Sequence, residues 1–303
     1  MPGMRDAVVI GAGPAGIAAA IYLRRAGADS VLLEKGEVGG LLRSANLVEN
    51  YPGFPEGVSG KRLVSLFKGQ MRSVGLSPVK ALVLSVRRTR GAFRTESDSG
   101  SFLSKSVLVG TGTVPKRIAL KGASGAASKR VFYDVNEAIE ASRRRERILI
   151  LGGGDAAFDY ALNLRARGRD IAIISRSRPR CLRLLAERAM KEKIAVAVGC
   201  EPLELRTRRD GMEILCRSGK RIRTFEGDAV LVAAGRIPDM GVLGGLSKKV
   251  KVRGHGPETN IPGLYMIGDI LGASYRQTGI AVGSGIMAAM MVQDSLCGPE
   301  VRR

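Results

Sequence analysis

The stretch Val8-Val9-Ile10-Gly11-Ala12-Gly13-Pro14-Ala15-Gly16 constrains this chain more than any other. An apolar run enters three glycines at G-x-G-x-x-G spacing and leaves into the helical pattern Ile17 to Arg25. Each glycine meets a separate demand: Gly11 a tight turn, Gly13 close approach of backbone to a pyrophosphate, Gly16 close packing of helix on strand. The helix N-terminus, with Pro14 and Ala15 in its first turn, then offers free N–H groups and a positive dipole end to phosphates. A second run, Ser30-Val31-Leu32-Leu33, ends in Glu34, followed by Lys35. A carboxylate there can bond the hydroxyls of an adenosine ribose.

The motif occurs twice. A shift of 141 residues carries Gly11 onto Gly152, Gly13 onto Gly154, Gly16 onto Ala157 and Gly27 onto Gly168, so Ile148 to Ala157 forms a second cradle that includes Asp155 and Ala156. Alanine at the third glycine position is a permitted variant. The same shift carries Glu34 onto Ser175 and Lys35 onto Arg176. Ser175-Arg176-Ser177-Arg178 offers hydroxyls and guanidinium groups in place of a carboxylate, which suits the 2′-phosphate of NADPH better than the free hydroxyl of NADH.

The intervening sequence reads as elements around these cradles. Gly36 to Leu42 and Leu47 to Pro55 are irregular loops stiffened by Pro52 and Pro55. Lys61 to Val74 is an amphipathic helix with Leu63, Leu66, Phe67 and Met71 on one side. Strands are expected over Val79 to Val86, Ala92 to Glu96 and Ser101 to Val109, the last opening into Gly110-Thr111-Gly112-Thr113. Val230 to Arg236 repeats that strand and small-residue turn.

At 303 residues there is material for two domains, and 45% hydrophobic with 25% charged content is ordinary for a soluble globular chain. The longest weakly polar run, Gly279 to Val292, carries Ser284 and three glycines, so no membrane span is expected. The first strand begins within a few residues of Met1, so no leader is expected either, and a cytoplasmic location follows. The net charge of +21 suits an acidic partner, whether a small electron carrier, a nucleic acid or a phosphorylated ligand, or else an Arg-rich solvated surface. Scattered arginines and 4% aromatic content disfavour nucleic acid. Cys181, Cys200, Cys216 and Cys297 form no C-x-x-C, and His255 is the one histidine. A metal cluster or hydrolase triad has nothing to build on, and no catalytic acid, base or nucleophile is expected.

The residues G-A-G-P-A-G, E-x-G-E-V-G-G-L-L, V-E-N-Y-P-G-F-P, Y-M-I-G-D-I and Y-R-Q-T-G resemble the low-molecular-weight thioredoxin reductase family of two-dinucleotide-binding flavoproteins. The resemblance runs over nearly the whole chain. It implies an α/β fold of two Rossmann-like, three-layer ββα domains, with an NAD(P)H domain (114–238) inserted into an FAD domain (1–113 and 239–303). It implies that Gly11, Gly13, Pro14, Ala15, Gly16, Glu34 and Lys35 serve the adenosine diphosphate of FAD. Gly39, Gly40, Leu41, Leu42 and Asn50 would lie near the flavin, with Val83, Thr111 and Gly112 as further FAD-binding candidates. Gly268 and Asp269 would meet the ribityl or phosphate end, and Gln277, Thr278 and Gly279 the pyrimidine edge. Gly152, Gly154, Asp155, Ala156, Arg176, Arg178 and Gly235 would hold the nicotinamide dinucleotide. The resemblance also implies a homodimer, with a hinge near Thr113 to Lys116 and Arg236 to Gly241.

One family feature is missing. Thioredoxin reductases carry C-A-T-C shortly before the second glycine motif, whereas this chain has Val131-Phe132-Tyr133-Asp134-Val135-Asn136-Glu137. Disulfide reduction by the family's relay is therefore not expected, because exchange needs an attacking and a resolving thiol. Loss of the dithiol is similar to the thioredoxin-reductase-like ferredoxin–NADP reductases, although the C-terminal extension usual in that branch does not follow the last helix here. The resulting expectation is an FAD-dependent NAD(P)H oxidoreductase passing electrons to an external acceptor such as ferredoxin. An oxidase or quinone reductase, disulfide reduction by an atypical route, and a flavin-binding redox sensor stay open.

Overall fold

The computed structural model describes residues 3–123, 125–209, 211–272 and 275–297. Strand β1 (Arg5–Ile10) is buried from Ala7 onward, as a parallel strand covered on both faces must be. Helix α1 (Pro14–Arg25) has proline at its first position and Arg24 and Arg25 in its last turn, where they complement the dipole. Strand β2 (Ser30–Glu34) pairs parallel to β1.

Helix α2 (Gly60–Ser73) is capped by Ser59, whose hydroxyl accepts from Arg62 N. It buries Leu63, Val64, Phe67 and Met71, while Leu66 is exposed. At 100° per residue Leu66 falls well off the arc that the other four share, and Val64 replaces it.

The single strand expected over Val79 to Val86 is split into β3 (Val79–Lys80), which joins β2, and β4 (Val83–Thr89). The break falls where Ala81 N bonds Glu34 O and Leu82 N bonds the Asp98 carboxylate. β4, β5 (Ala92–Ser97) and β6 (Gly100–Val109) form an antiparallel meander. The C-terminal half of β6 turns into the parallel sheet beside β1.

After β7 (Thr113–Pro115) the chain builds a second unit. It contains β8 (Val131–Phe132), α3 (Val135–Ala141), β9 (Arg147–Leu151), α4 (Asp155–Arg165), β10 (Asp170–Ser175), α5 (Arg183–Lys191) and β11 (Ala195–Val198). An antiparallel sheet follows, made of β12 (Glu201–Arg208), β13 (Gly211–Ser218) and β14 (Arg221–Gly227). β15 (Ala229–Val232) closes the parallel sheet in the order β11-β10-β9-β15-β8. β16 (Arg236–Pro238) pairs with β7 as the chain leaves, and β17 (Leu264–Met266) and α6 (Thr278–Cys297) complete the first unit. That unit holds 1–43, 48–114 and 237–303; the second holds 44–47 and 115–236.

The duplication is written in the hydrogen bonding. Ala7 pairs with Ser30 in the first sheet and Ile148 with Ile171 in the second, both displaced by the 141 residues that separate the motifs. Gly11 N donates to Leu33 O and Gly152 N to Ile174 O, again at the same displacement.

Helix α6 runs past the apolar stretch visible in the sequence, over 20 residues, and by length and composition alone is apolar enough to cross a membrane. In this fold it lies along α1. Ala281, Gly285, Ala288, Ala289 and Val292 are buried, and a Cβ added to Gly285 would stand 2.1 Å from the Ala15 carbonyl oxygen. Gly285→Ala is therefore expected to destabilise the first unit by about 1–3 kcal/mol through overpacking. Gly283, with nothing within 4 Å of its would-be Cβ, is expected to gain about 0.5–1 kcal/mol as alanine. Thermal unfolding of the two variants checks the opposite signs.

Candidate functional site

In the first unit the predicted residues converge on the start of α1. A Cβ at Gly16 would lie 1.8 Å from Gly11 O, and one at Gly11 (φ +94°) would lie 2.4 Å from Gly110 O, so the turn tolerates no side chain. Gly39 N donates to Ala12 O at 2.8 Å, and Gly40 stands against Gly13, its would-be Cβ 3.3 Å from the Gly13 Cα. That bond carries the loop Gly39-Gly40-Leu41-Leu42 onto the fingerprint. Leu42 is buried and Leu41 half-buried. The Glu34 carboxylate accepts from Ala12 N at 2.6 Å and from Gly36 N at 2.8 Å, which orients it at the end of β2 beside the exposed Lys35.

From the far end of the chain, Gly268 sits 3.0 Å (would-be Cβ) from the Ala15 Cβ, its N–H donating to Ser284 Oγ at 2.8 Å. Asp269, half-buried, follows in a short 3-10 turn. Asn50 Nδ2 donates to Gln277 Oε1 at 2.9 Å, joining two candidates 227 residues apart next to Thr278 and Gly279 at the start of α6. Thr111 Oγ1 donates to Asp239 O and Gly112 O accepts from Asp239 N. Val83 is brought near Glu34 by the Ala81 bond, but its side chain is spent in the core with Val8, Val31 and Leu33.

The second unit repeats the geometry. A Cβ at Gly152 would lie 2.4 Å from Ala233 O, in the turn that leads to Gly235, and 3.3 Å from the Ala157 Cβ, so this position too must stay glycine. Gly154 caps α4, followed by exposed Asp155 and Ala156. Arg176 and Arg178 are exposed on the strap after β10. The Ser175 hydroxyl does not join them: it is buried and donates to Ser177 O at 2.7 Å.

A contrast between helix starts tests whether these cradles suit a dinucleotide. Ser59 and Asp134 cap α2 and α3 with their own side chains; Gly13 and Gly154, like Leu182 at α5, make no side-chain cap, and the two glycines alone of these three carry no side chain at the helix start. The first N–H groups of α1 and α4 are thereby left for an anion, and no Cβ-contacting atom lies within 4 Å of Gly13 or Gly154. The fit to a pyrophosphate at each is good.

Two α/β cradles of this kind in one chain define a two-dinucleotide oxidoreductase. The family model for pyridine nucleotide-disulphide oxidoreductases matches residues 5–285, and the chain belongs to that family. It is 30% identical over 307 residues to a thioredoxin reductase of Chlamydia trachomatis, covering 93% of this chain and 96% of that relative. Among solved structures it is similar to the thioredoxin reductases of T. acidophilum (TM-score 0.88, 26% identity, 97% and 99% of the two chains) and Lactococcus lactis (TM-score 0.86, 26% identity, 95% and 97%). The chain is thus an NAD(P)H-dependent flavoprotein oxidoreductase with FAD and a nicotinamide dinucleotide as its cofactors.

Sequence reasoning missed one group near the second cradle. Asn46 N donates to Asp159 on α4 at 3.1 Å, and Ser44 Oγ donates to Asp134, so residues 44–47 are tied to the second unit by two carboxylates. Burial pushes Asp159 up to about 6, partly offset by the N–H groups of Asn46 and Leu47. No periodicity marks this, because donor and acceptor are 113 residues apart. Burial likewise pushes the Cys181 thiol up, with Asp155 adding to it, and pushes Cys216 up to about 12.

The Asp159 shift has a definite sign. Below the ordinary carboxylate value of 3.8 both native and unfolded chains are protonated; between there and about 6 the unfolded chain ionises while the native one keeps its proton. Stability therefore falls as pH rises through that window and levels off above it. Asp159→Asn is expected to match wild type near pH 4 and exceed it by about 2 kcal/mol at pH 7.5. Melting curves of both proteins over pH 4–8 check this; parallel curves would refute it.

Proposed function

We propose that the first cradle holds FAD and the second NADPH, and that electrons leave for an external acceptor without an internal dithiol. The observation that carries this is the pair of helix starts left uncapped at Gly13 and Gly154, one followed by a carboxylate at the end of its second strand and the other by Arg176 and Arg178. Glu34, oriented by Ala12 N and Gly36 N, serves the adenosine ribose of FAD. Arg176 and Arg178 serve the 2′-phosphate of NADPH.

Bound at the first cradle, FAD would supply the capacity to take up hydride from a nicotinamide and pass electrons onward, and the residues of the cradle would hold and tune it. Asn50 holds the Gln277 amide in one orientation beside the start of α6, and the positive end of that helix would favour negative charge on a flavin pyrimidine edge bound there. No side-chain acid or base is needed. In this reading the FAD domain is 1–113 with 239–303 and the NAD(P)H domain 114–238, in a cytoplasmic homodimer; the division of the chain into 1–43, 48–114 and 237–303 against 44–47 and 115–236 supports it apart from residues 44–47.

The acceptor we favour is a small acidic carrier of the ferredoxin kind. The +21 charge supports it, as does the absence of C-x-x-C. On the β12–β14 sheet Arg206, Arg208 and Arg217 pair with Glu204, Glu213, Glu226 and Glu201, so the unmatched positive charge lies elsewhere than in these pairs. The cysteines support no relay: among described residues all four are free, Cys200 and Cys216 are buried, and the segment Val131–Glu137 is β8 and the capped start of α3. The second reading is disulfide reduction, favoured by the names of the similar proteins.

Purified protein is expected to be yellow and to bleach anaerobically faster with NADPH than with NADH. Stopped-flow NADPH oxidation should accelerate with ferredoxin and not with oxidised thioredoxin. Equal slow rates with and without ferredoxin remove the carrier; acceleration by thioredoxin instead establishes the second reading.

A further inference from the structure

The strap between β10 and α5 carries Arg176 and Arg178 at its start and is fastened at its far end to the glycine turn. Arg180 N donates to Gly153 O at 2.7 Å, and Leu182 N donates to Asp155 Oδ1 at 2.8 Å. At the near end Ser175 Oγ donates to Ser177 O, filling the space that a Cβ on Gly153 would take, 2.3 Å from that oxygen. The seven residues 176–182 are thus held at two points by the cradle they border and at a third by their own Ser175–Ser177 bond.

Arg176 and Arg178 are exposed and enter no ion pair with the described residues, so nothing but the backbone beneath them fixes where their guanidinium groups stand. A long arginine side chain loses less on binding when its base is already held in place. Asp155 opens α4, where a carboxylate is favoured by the dipole yet would repel an incoming diphosphate. Committing Oδ1 to Leu182 N gives that charge a structural use.

We infer that Asp155 is a positioning residue that sets the NADPH-over-NADH preference by anchoring the strap through Leu182 N. The inference rests on the reading of the second cradle as an NADPH site. Two opposing effects separate the anchor from simple charge. Deleting a carboxylate near a 2′-phosphate should tighten its binding; releasing the strap should weaken it. Asp155→Asn removes the charge but keeps an acceptor oxygen, while Asp155→Ala removes both. Leu182→Pro deletes the donor at a residue whose φ of −54° already suits proline.

The test is isothermal titration of flavin-loaded protein with adenosine 2′,5′-bisphosphate and with AMP, read as the ratio of the two affinities. Asp155→Ala and Leu182→Pro are each expected to lower that ratio about tenfold, the double variant no further than either alone, because both break one contact. Asp155→Asn should keep or raise it. A ratio within about twofold of wild type in both Asp155→Ala and Leu182→Pro, or a rise in Asp155→Ala, overturns the anchor. Should one of these variants not fold, the other decides. Arg176→Ala with Arg178→Ala, in otherwise unaltered protein, tests the underlying reading by itself: if that pair leaves the ratio unchanged, the arginines do not read the 2′-phosphate and the NADPH assignment fails first.

Discussion

Backbone meets backbone in this protein with no room for a side chain. A methyl group on Gly16 would stand 1.8 Å from the Gly11 carbonyl, on Gly11 2.4 Å from Gly110, on Gly152 2.4 Å from Ala233, and on Gly285 2.1 Å from Ala15. At the first two of these contacts the strand can turn sharply into its helix with the helix lying hard on the sheet. The helix then starts where a ligand's phosphates can reach its N–H groups. Several candidates of the first unit are arranged around that start, Gly39 and Gly40 from one loop, Gly268 from another and α6 from the end of the chain, whereas the Val83 side chain is spent in the core.

The two cradles use one architecture for two charge environments. Both leave the first turn of a helix without a side-chain cap, whereas α2 and α3 supply their own. The difference lies one strand later, where Glu34 is fixed by two N–H groups in one unit and an exposed arginine strap takes its place in the other. A carboxylate accepts from ribose hydroxyls and repels a phosphate; guanidinium groups do the reverse. The same sheet can therefore serve two dinucleotides with few changes at its rim.

Much of this was legible in residue spacing. The 141-residue repeat was visible in the glycines because strand, turn and helix are local and each glycine has a local reason, and the structure carries the same displacement into the register pairs Ala7 with Ser30 and Ile148 with Ile171. The amphipathic helix at 60–73 was visible too, although Leu66 was assigned to the wrong face because its angle was not weighed against Val64. The expected strand over 79–86 failed for a different cause. Hydrogen bonds from Ala81 to Glu34 and from Leu82 to Asp98 pull its two halves into different partnerships, and neither partner is a neighbour in sequence.

The sequence by itself determined the fold class, the two nucleotide cradles, the contrast between Glu34 and Arg176, and the absence of a C-x-x-C, since all of these are matters of residue type at short spacing. Tertiary structure alone decided that Asn50 meets Gln277, that Ser175 turns inward, that Asp159 is buried against Asn46, and that Asp155 fastens the arginine strap. These contacts join residues from 2 to 227 positions apart and depend on side-chain direction and on what covers each group. No periodicity encodes them; they exist only once the sheets have brought their loops together.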